Sequence, residues 1–238
     1  MPEIFDSLET GEGYRLEISG LSYPLILPWV WLLGEDHDTR IASLNLIGKI
    51  RWNQDLGRLI ARRVKETLND LEGICFITVV EKALQLAQVV ASELAVEYMA
   101  VAYNRIKPHM EVSLRPVIQV GMDSVTSGVK FLALYERDIN LLVTHGTRGV
   151  VVIDDVVTTG GTIMGLVDLL EEVAHLKKLS HPIPIKTIFS VAEEGKRTRV
   201  LPAPVYSLAP LPDPMIRRPG TLREKPFQES LWPKPSSG

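Results

Sequence analysis

The spacing of hydrophobic positions along the chain changes near residue 50 and divides it into two parts. Up to that point the apolar residues lie in short extended stretches, YRLEIS, YPLILPWVWLL and RIASLNLIGKI, separated by prolines and by the polar run GEDHD. These stretches predict a β-rich N-terminal extension. Pro24 and Pro28 favour edge strands or loop, because proline has no N–H to donate to a sheet. We interpret GEDHD as a solvated turn rather than a metal site, since consecutive turn residues rarely converge on one ion.

Beyond that point the pattern alternates between helical spacing and continuous apolar runs. Asn53 is predicted to cap a first helix, whose apolar face carries Leu56, Leu59, Ile60, Val64 and Leu68. GICFITVV, KALQLAQVVASEL and VEYMAVAY then follow as strand, helix and strand over residues 73–103. Such a unit is the building block of a parallel sheet. Cys75 falls in the first of these strands and is predicted to be a buried thiol rather than a nucleophile.

The remaining pattern adds an arm, a further strand and helix, and a tail. VSLRPVIQV and VKFLALY flank the polar stretch GMDSVTSG and predict an antiparallel arm with a flexible tip. GVVVI at 149–153 predicts a core strand, and a helix is expected from Thr162 to Leu179. Its apolar stripe comprises Ile163, Leu166, Val167, Leu170, Val173 and Leu176. IKTIFSVA and APVYSL predict two more strands, and the prolines after Leu208 predict a wrapping or disordered tail.

These elements together predict an α/β protein with a central parallel sheet flanked by helices. The flexible antiparallel arm and the β-rich N-terminal extension are additions to that core. The expected divisions are an N-terminal β-rich extension or hood at 1–50, the α/β core at 51–208 and a proline-rich tail at 209–238. The four tryptophans, Trp29 and Trp31 among them, are expected in core or interface positions rather than stacked on a ligand.

Composition narrows the class of protein without identifying it. The chain has 238 residues, a net charge of −3 and a single cysteine. That charge gives no general attraction to nucleic acid, and one cysteine excludes an internal disulfide. The first residues lack the pattern of a signal peptide, and no apolar run approaches the roughly 18 residues that span a bilayer. A soluble, cytoplasmic protein with no membrane or nucleic-acid partner is expected.

The stretch GVVVIDDVVTTGGT carries the clearest chemistry. Asp154 and Asp155 fall where a parallel strand ends, which is the edge at which such sheets bind ligands. The turn that follows leads into a helix N-terminus, whose free N–H groups attract an anion. We therefore predict a phosphate cradle that comprises Val157, Thr158, Thr159, Gly160, Gly161 and Thr162. Carboxylates accept two hydrogen bonds each and suit the vicinal hydroxyls of a ribose, so the residues predict a sugar-phosphate site.

At this point the sequence resembles a known family. VVVIDDVVTTGGT is similar to the phosphoribosyl-diphosphate (PRPP) motif of type I phosphoribosyltransferases. VVEKALQLA at 79–87 resembles the family's pyrophosphate loop, with Lys82 on the motif lysine and Ala83 where glycine is usual. AYNRIKPHM at 102–110 is similar to a segment of the adenine-specific members, although Tyr103 and Asn104 replace an arginine–lysine pair. SVTSG at 124–128 resembles the tip of the hood over their active site.

The resemblance implies an enzyme that transfers ribose 5-phosphate from PRPP to a nucleobase and releases pyrophosphate, with Mg²⁺ as cofactor. A purine of the adenine type, a role in nucleotide salvage and a homodimer are the expected specifics. The residues implied for catalysis are Asp154, Asp155 and Lys82. The residues implied for pyrophosphate binding are Glu81, Lys82, Ala83 and Lys107, and those implied for the hood tip are Ser124, Thr126, Ser127 and Gly128. Metal contact is expected through PRPP, with Asp154 and Asp155 as candidate ligands.

Two alternatives share the same phosphate motif. One is a non-catalytic regulator of this fold that binds PRPP or a nucleotide, and the loss of the cationic pair at Tyr103 and Asn104 keeps it open. The other is a pyrimidine enzyme of the orotate type. The charged run FSVAEEGKR, with Glu193 and Glu194, is interpreted as a solvated turn, and a loop beside the base pocket is its alternative.

Overall fold

The computed structural model describes residues 7–34, 36–104, 118–124, 128–195 and 200–218. The strands in chain order are Ser7–Leu16 (β1), Leu25–Leu32 (β2), Asp38–Ala42 (β3), Ile74–Val79 (β4), Met99–Ala102 (β5), Ile118–Ser124 (β6), Gly128–Leu134 (β7), Gly149–Val157 (β8), Ile185–Glu194 (β9), Val205–Leu211 (β10) and Met215–Arg217 (β11). The helices are Ile50–Thr67 (α1), Leu84–Glu93 (α2), Glu136–His145 (α3) and Gly161–Lys177 (α4).

A parallel sheet of five strands forms the centre of the molecule, in the order β10-β9-β8-β4-β5. The chain enters at β4, crosses to β5 and then returns to the far side of β4 with β8. This reversal between β4 and β8 is the switch point at which sheets of this order bind ligands. The α/β fold with a central parallel sheet is therefore confirmed.

Helices cover both faces of the sheet. Helices α1 and α2 pack with the N-terminal residues on one face, where Leu56, Leu86 and Phe189 are fully buried. Helices α3 and α4 pack on the other face around residues such as Leu142 and Leu166. Strands β4 and β8 are buried almost throughout, because each has a helix layer above and below it. Among the described residues, no helix is long and apolar enough to cross a membrane.

The N-terminal extension forms a second, antiparallel sheet in the order β1-β2-β3-β11. Pro24 lies in the loop before β2, as predicted, but the prediction of an edge strand or loop is wrong for Pro28, since β2 lies inside this sheet. Pro28 is tolerated there because the pairing of β1 with β2 shifts register between Glu9 and Gly13, opposite the proline. The Pro28 carbonyl still accepts a hydrogen bond from the Ser43 N–H at 2.9 Å. The tail contributes β11 to this sheet, which agrees with a wrapping segment.

Two polar residues have different roles from those predicted. Asn53 does not cap α1, which begins at Ile50; it lies inside the first turn and is buried. Its side-chain amide donates to the Leu46 and Lys49 carbonyls at 2.6 and 3.0 Å, and thereby holds the preceding segment. Asp38 does not belong to a solvated turn, because it is only 1% exposed.

The predicted arm is an antiparallel pair of strands, β6 and β7, with Ser124 opposite Gly128. Its second strand joins the core through paired hydrogen bonds between the Tyr103 and Ala133 backbones, at 2.9 and 2.8 Å. Helix α3 directly after the arm was not predicted. Helix α4 agrees with the prediction except at Leu176, which is 44% exposed. Cys75 is buried in β4 as expected, and burial raises the pKa of its thiol to about 11.

The buried Asp38 carboxylate connects the two ends of the described chain. Arg217 on β11 pairs with Asp38 on β3 in register, and its Nε lies 3.4 Å from the carboxylate. The same guanidinium stacks on the Trp31 ring, 3.7 Å from the ring centroid.

We expect Arg217→Met to lower the free energy of unfolding by about 2–4 kcal/mol, because it leaves a buried carboxylate without its cation. Urea unfolding of both proteins measures the difference. The exposed neighbour gives a matched control, and Arg218→Met should change stability by less than about 0.5 kcal/mol. Adding Asp38→Asn to Arg217→Met should recover part of the loss. Equal effects at Arg217 and Arg218 would contradict this account of the ion pair.

Candidate active site

A cavity of about 460 Å³ opens at the carboxyl ends of β4 and β8, at the switch point of the sheet. Because parallel strands present all their carboxyl ends at one edge, the residues that end β4, β8 and β9 meet there. The N-terminal segment that follows β3 closes the opposite side. The lining residues are Ile41, Ala42, Ser43, Leu44, Ile47, Val79, Val80, Glu81, Lys82, Ala83, Asn104, Leu132, Asp154, Asp155, Val156, Thr158, Thr162, Glu194 and Leu211.

The two aspartates lie inside the end of β8 rather than after it, which corrects the predicted strand end at residue 153. Both are buried, at 8% exposure. The Asp155 N–H donates to the Asp154 carboxylate at 2.9 Å. Burial, and next the neighbouring Asp155 carboxylate, raise the pKa of Asp154 well above its usual range, while the Lys82 ammonium opposes that rise. The surroundings of Asp154 therefore favour its neutral form as long as no cation is bound beside it.

The loop from β4 to α2 supplies a cation opposite these acids. Lys82 and Glu81 are exposed and line the cavity, and the peptide bond between Val80 and Glu81 is cis. Ala83, where the family motif has glycine, is buried with φ −90° and ψ −6°, and α2 begins directly after it. That backbone conformation is open to any L-residue, so the alanine fits this loop without strain.

The threonine–glycine turn joins β8 to α4. Val157 is buried as the last residue of β8, and Gly160 has φ +84°, a left-handed conformation that favours glycine. Helix α4 begins at Gly161 with no side-chain cap and no acidic residue in its first turn. Its first N–H groups are thus available to an anion. Thr158 and Thr162 line the cavity, and Thr159 lies half-buried between them in sequence.

The structure brings only part of the predicted site together. Besides the acids, Glu81, Lys82, Ala83 and two threonines line the cavity. Ser124 and Gly128 are paired across the ends of β6 and β7. Lys107, Thr126 and Ser127 lie outside the described residues. The assigned roles of all these residues stay predictions.

The replaced cationic pair has a structural explanation at one position. Tyr103 is buried, and its ring meets the Tyr135 ring edge to face, with centroids 5.0 Å apart. Burial raises the pKa of the Tyr103 hydroxyl, so this side chain is a neutral packing residue. Asn104 is exposed and lines the cavity with a neutral amide.

Glu194 belongs to the site, a position that the sequence interpretation gave only as the alternative to a solvated turn. It ends β9, is buried at 9% exposure and lines the cavity. Burial raises the pKa of Glu194 to about 7, although the Lys82 ammonium opposes the rise. The interpretation as a solvated turn is therefore wrong for this residue. The alternative, a loop beside the base pocket, was based on its position after the next strand of the sheet.

No individual residue of the N-terminal segment 41–47 was predicted to line the site, although the extension to which it belongs was also interpreted as a hood. The segment contributes an apolar wall of Ile41, Leu44 and Ile47. Several hydrogen bonds fix its path, among them those from Asn53 to the Leu46 and Lys49 carbonyls. The Gly48 N–H also donates to the Gln85 side chain on α2 at 2.8 Å. The wall is thus attached to both helices on that face of the sheet.

The charges around the cavity suit a metal-bound anion. Among the described lining residues, four are carboxylates, Glu81, Asp154, Asp155 and Glu194, and one, Lys82, is a cation. A bare diphosphate would be repelled by this set, whereas one that carries Mg²⁺ brings the positive charge that the acids lack. Carboxylate oxygens are also the ligands that Mg²⁺ prefers. The residues present therefore fit the cofactor that the sequence resemblance implies.

Comparisons with known proteins give structural matches only. No protein-family description matches the sequence, and no curated protein matches it. Among solved structures, the adenine phosphoribosyltransferase of Rhodothermus marinus matches with a TM-score of 0.49 and 16% identity, over 69% of this chain and 85% of that chain. The adenine phosphoribosyltransferase of Thermoanaerobacter pseudethanolicus matches with a TM-score of 0.48 and 13% identity, over 71% of this chain and 95% of that chain.

A hypothetical protein from Neisseria gonorrhoeae with bound ppGpp matches with a TM-score of 0.43 and 14% identity, over 68% of this chain and 80% of that chain. The matched structures thus include adenine phosphoribosyltransferases, all at low sequence identity. Since these TM-scores lie below 0.5, the fold assignment rests on the strand order and connections described above.

Glu194 should make the free energy of unfolding depend on pH. Because its pKa rises from 4.5 to about 7 on folding, the folded protein holds this proton more tightly than the unfolded chain does. Its stabilising contribution is full below pH 4.5 and is lost as pH rises to about 7. We expect Glu194→Gln to be more stable than wild type at pH 8 by roughly 2–3 kcal/mol, and little different at pH 4.5.

Chemical unfolding at several pH values checks this expectation. Glu193→Gln is the matched control, since Glu193 lies beside Glu194 in sequence but outside the cavity. It should leave the pH dependence of stability as in wild type. A Glu194→Gln curve parallel to the wild-type curve would contradict the prediction.

Proposed function

We propose that this protein transfers ribose 5-phosphate from PRPP to a nucleobase and releases pyrophosphate. The observation that supports it most directly is that one cavity joins two buried carboxylates, an uncapped helix N-terminus and a lysine from the loop after the neighbouring strand. A sugar that carries a phosphate at one end and a diphosphate at the other matches this arrangement group by group. The proposal extends to Mg²⁺ as cofactor, a purine base, nucleotide salvage, a cytoplasmic location and a homodimer.

The 5-phosphate would bind at the start of α4. Its oxygens would accept hydrogen bonds from the first free N–H groups of the helix and from the hydroxyls of Thr158, Thr159 and Thr162. Gly160 takes the left-handed conformation of this turn, and Val157 anchors the turn to the core. These groups are neutral, so they hold a phosphate without competing for the metal.

Asp154 and Asp155 would accept hydrogen bonds from the two ribose hydroxyls. Displacement at the anomeric carbon passes through a loose transition state in which the ribose ring becomes positively charged, as in glycoside hydrolysis. Two carboxylates held beside that ring stabilise the developing charge in a site of low dielectric. Their role is positioning and electrostatic, with no covalent intermediate.

Lys82 would stabilise the departing pyrophosphate, to which Glu81, Ala83 and Lys107 are proposed neighbours. Bound Mg²⁺ would supply charge neutralisation between the diphosphate and the aspartates. The tip residues Ser124, Thr126, Ser127 and Gly128 are proposed to cover the site and exclude water, which would otherwise hydrolyse PRPP.

A second candidate is a regulator that binds PRPP or a nucleotide without turnover. The burial of neutral Tyr103 supports it, because the adenine-specific relatives carry an arginine–lysine pair at this position and the next. Loss of one charge-assisted contact to pyrophosphate weakens binding by about 10- to 150-fold. A protein with this deficit would retain the sugar-phosphate half of the site and lose most of its catalytic rate.

We expect purified protein with PRPP and Mg²⁺ to release pyrophosphate in the presence of one base from a panel of adenine, guanine, hypoxanthine, xanthine, uracil and orotate. Asp155→Asn should lower kcat at least about 100-fold, since it removes a charge that acts in the transition state. Asp168→Asn, an exposed acid on α4, is the matched control and should keep the wild-type rate.

Pyrophosphate release that is insensitive to Asp155→Asn would contradict the proposed roles. No release from any base, together with PRPP binding in calorimetry that Asp155→Asn weakens, would favour the regulator. No binding of PRPP or of ribose 5-phosphate would overturn both.

A further inference from the structure

Glu194 has no task in the chemistry proposed so far. Phosphates do not bind to a carboxylate, and the ribose diol already has Asp154 and Asp155. Yet Glu194 is buried at the end of β9 and lines the cavity, at a cost in free energy that burial of an acid always carries. A buried acid that faces an open cavity and has no hydrogen-bonding role in the proposed reaction is a candidate to bind a polar group of a ligand.

The order of strands places Glu194 where a base would lie. Along the edge of the sheet, the loop after β4 carries Lys82, β8 carries the aspartate pair and β9 carries Glu194. In a displacement, the incoming nitrogen attacks the anomeric carbon from the side opposite the leaving group. With pyrophosphate at the β4 loop and the diol at β8, the far side is that of β9.

The surroundings of Glu194 suit a flat apolar ring. Ile41, Leu44 and Ile47 line the cavity from the N-terminal segment, and Leu211 lines it from the end of β10. A ligand site of this kind combines apolar walls with a few polar groups that fix orientation. Among the described residues of this wall, which also include Ala42, Ser43 and Val156, none is charged.

The charge balance of the cavity selects the kind of base. Four carboxylates and one lysine among the described lining residues disfavour an anionic base such as orotate, and they disfavour an exocyclic oxygen turned toward them. They favour an edge that presents N–H donors. An amino group beside a ring nitrogen meets this requirement, because a neutral carboxyl group donates to the ring nitrogen and accepts from the amino group.

We propose that Glu194 determines base specificity by binding, through its neutral carboxyl group, the amino group and adjacent ring nitrogen of a neutral aminopurine. This inference rests on the proposed function and specifies its substrate class. Burial, which raises the pKa of Glu194 to about 7, supports it, since a proton is available for the donation at neutral pH.

The test measures equilibrium binding, so that it does not depend on turnover. Calorimetry compares three ligands that share the ribose 5-phosphate group: AMP, purine riboside 5′-monophosphate, which lacks the amino group, and ribose 5-phosphate itself. Wild type should bind AMP about 10- to 100-fold more tightly than the ligand without the amino group. Glu194→Leu should abolish that preference and leave binding of ribose 5-phosphate unchanged.

Glu194→Gln provides the conservative variant. Its amide keeps a donor beside an acceptor and cannot ionise, so it should restore the preference for AMP. The pH profile separates this role from a merely structural one. In wild type, the affinity for AMP relative to ribose 5-phosphate should fall as pH rises through about 7, where Glu194 loses its proton, and in Glu194→Gln it should be flat.

The charged groups that share the cavity with Glu194 are Lys82 and Glu81 from the β4 loop and the aspartates of β8. Because the affinity for AMP is divided by the affinity for ribose 5-phosphate, the effects of these groups and of the ligand phosphate cancel in the pH profile. An unchanged preference for AMP in Glu194→Leu would overturn the inference, as would equal losses for all three ligands. If wild type binds none of them, the proposed function fails and this inference fails with it.

Discussion

The ionisation of buried carboxylates at the end of the central strand is the constraint that organises this molecule. Strand β8 is paired on both sides and covered on both faces, so Asp154 and Asp155 lie where water cannot fully solvate a charge. The same burial that stabilises the sheet therefore raises the pKa of Asp154. The cavity lessens this cost with Lys82 from β4, and a metal-bound substrate would lessen it further.

The parts of the fold that follow from local chemistry could be predicted from sequence. Strand β8 and the start of α4 are encoded by one continuous apolar run, two acids and a glycine turn, and all of these act within a few residues. The unit β4-α2-β5 is similar, since its strands are apolar throughout and its helix has an apolar face. Gly160 could be assigned to a turn because a positive φ is open chiefly to glycine.

The parts that depend on distant partners could not be predicted. Asp38 looked solvated among polar neighbours, but Arg217 and Trp31 convert it into a buried ion pair between the two ends of the described chain. Asn53 had the appearance of a helix cap, and only the path of the preceding segment shows that it holds carbonyls instead. Glu194 belongs to a charged run in the sequence, and only the structure shows that it is buried and lines the cavity together with the N-terminal wall.

The buried acids of the cavity have fewer cationic partners than the buried acids in the rest of the described chain. Two of the buried acids in the described residues have an arginine partner: Asp38 lies beside Arg217, and Asp138 accepts from Arg137 at 2.7 Å and from the Val101 N–H at 3.0 Å. The three buried acids of the cavity, Asp154, Asp155 and Glu194, share Lys82 alone among the described cations that line it.

Buried charges in folded proteins are paired unless a ligand completes them. Among the described residues, the excess of buried carboxylates over cations is therefore confined to the one edge of the sheet where the strand order also places a ligand. Local departures of this kind are expected at functional sites, where stability is given up for binding. A ligand that brings both a cation and N–H donors would relieve all three acids at once, and a metal-bound sugar phosphate together with an aminopurine is such a combination.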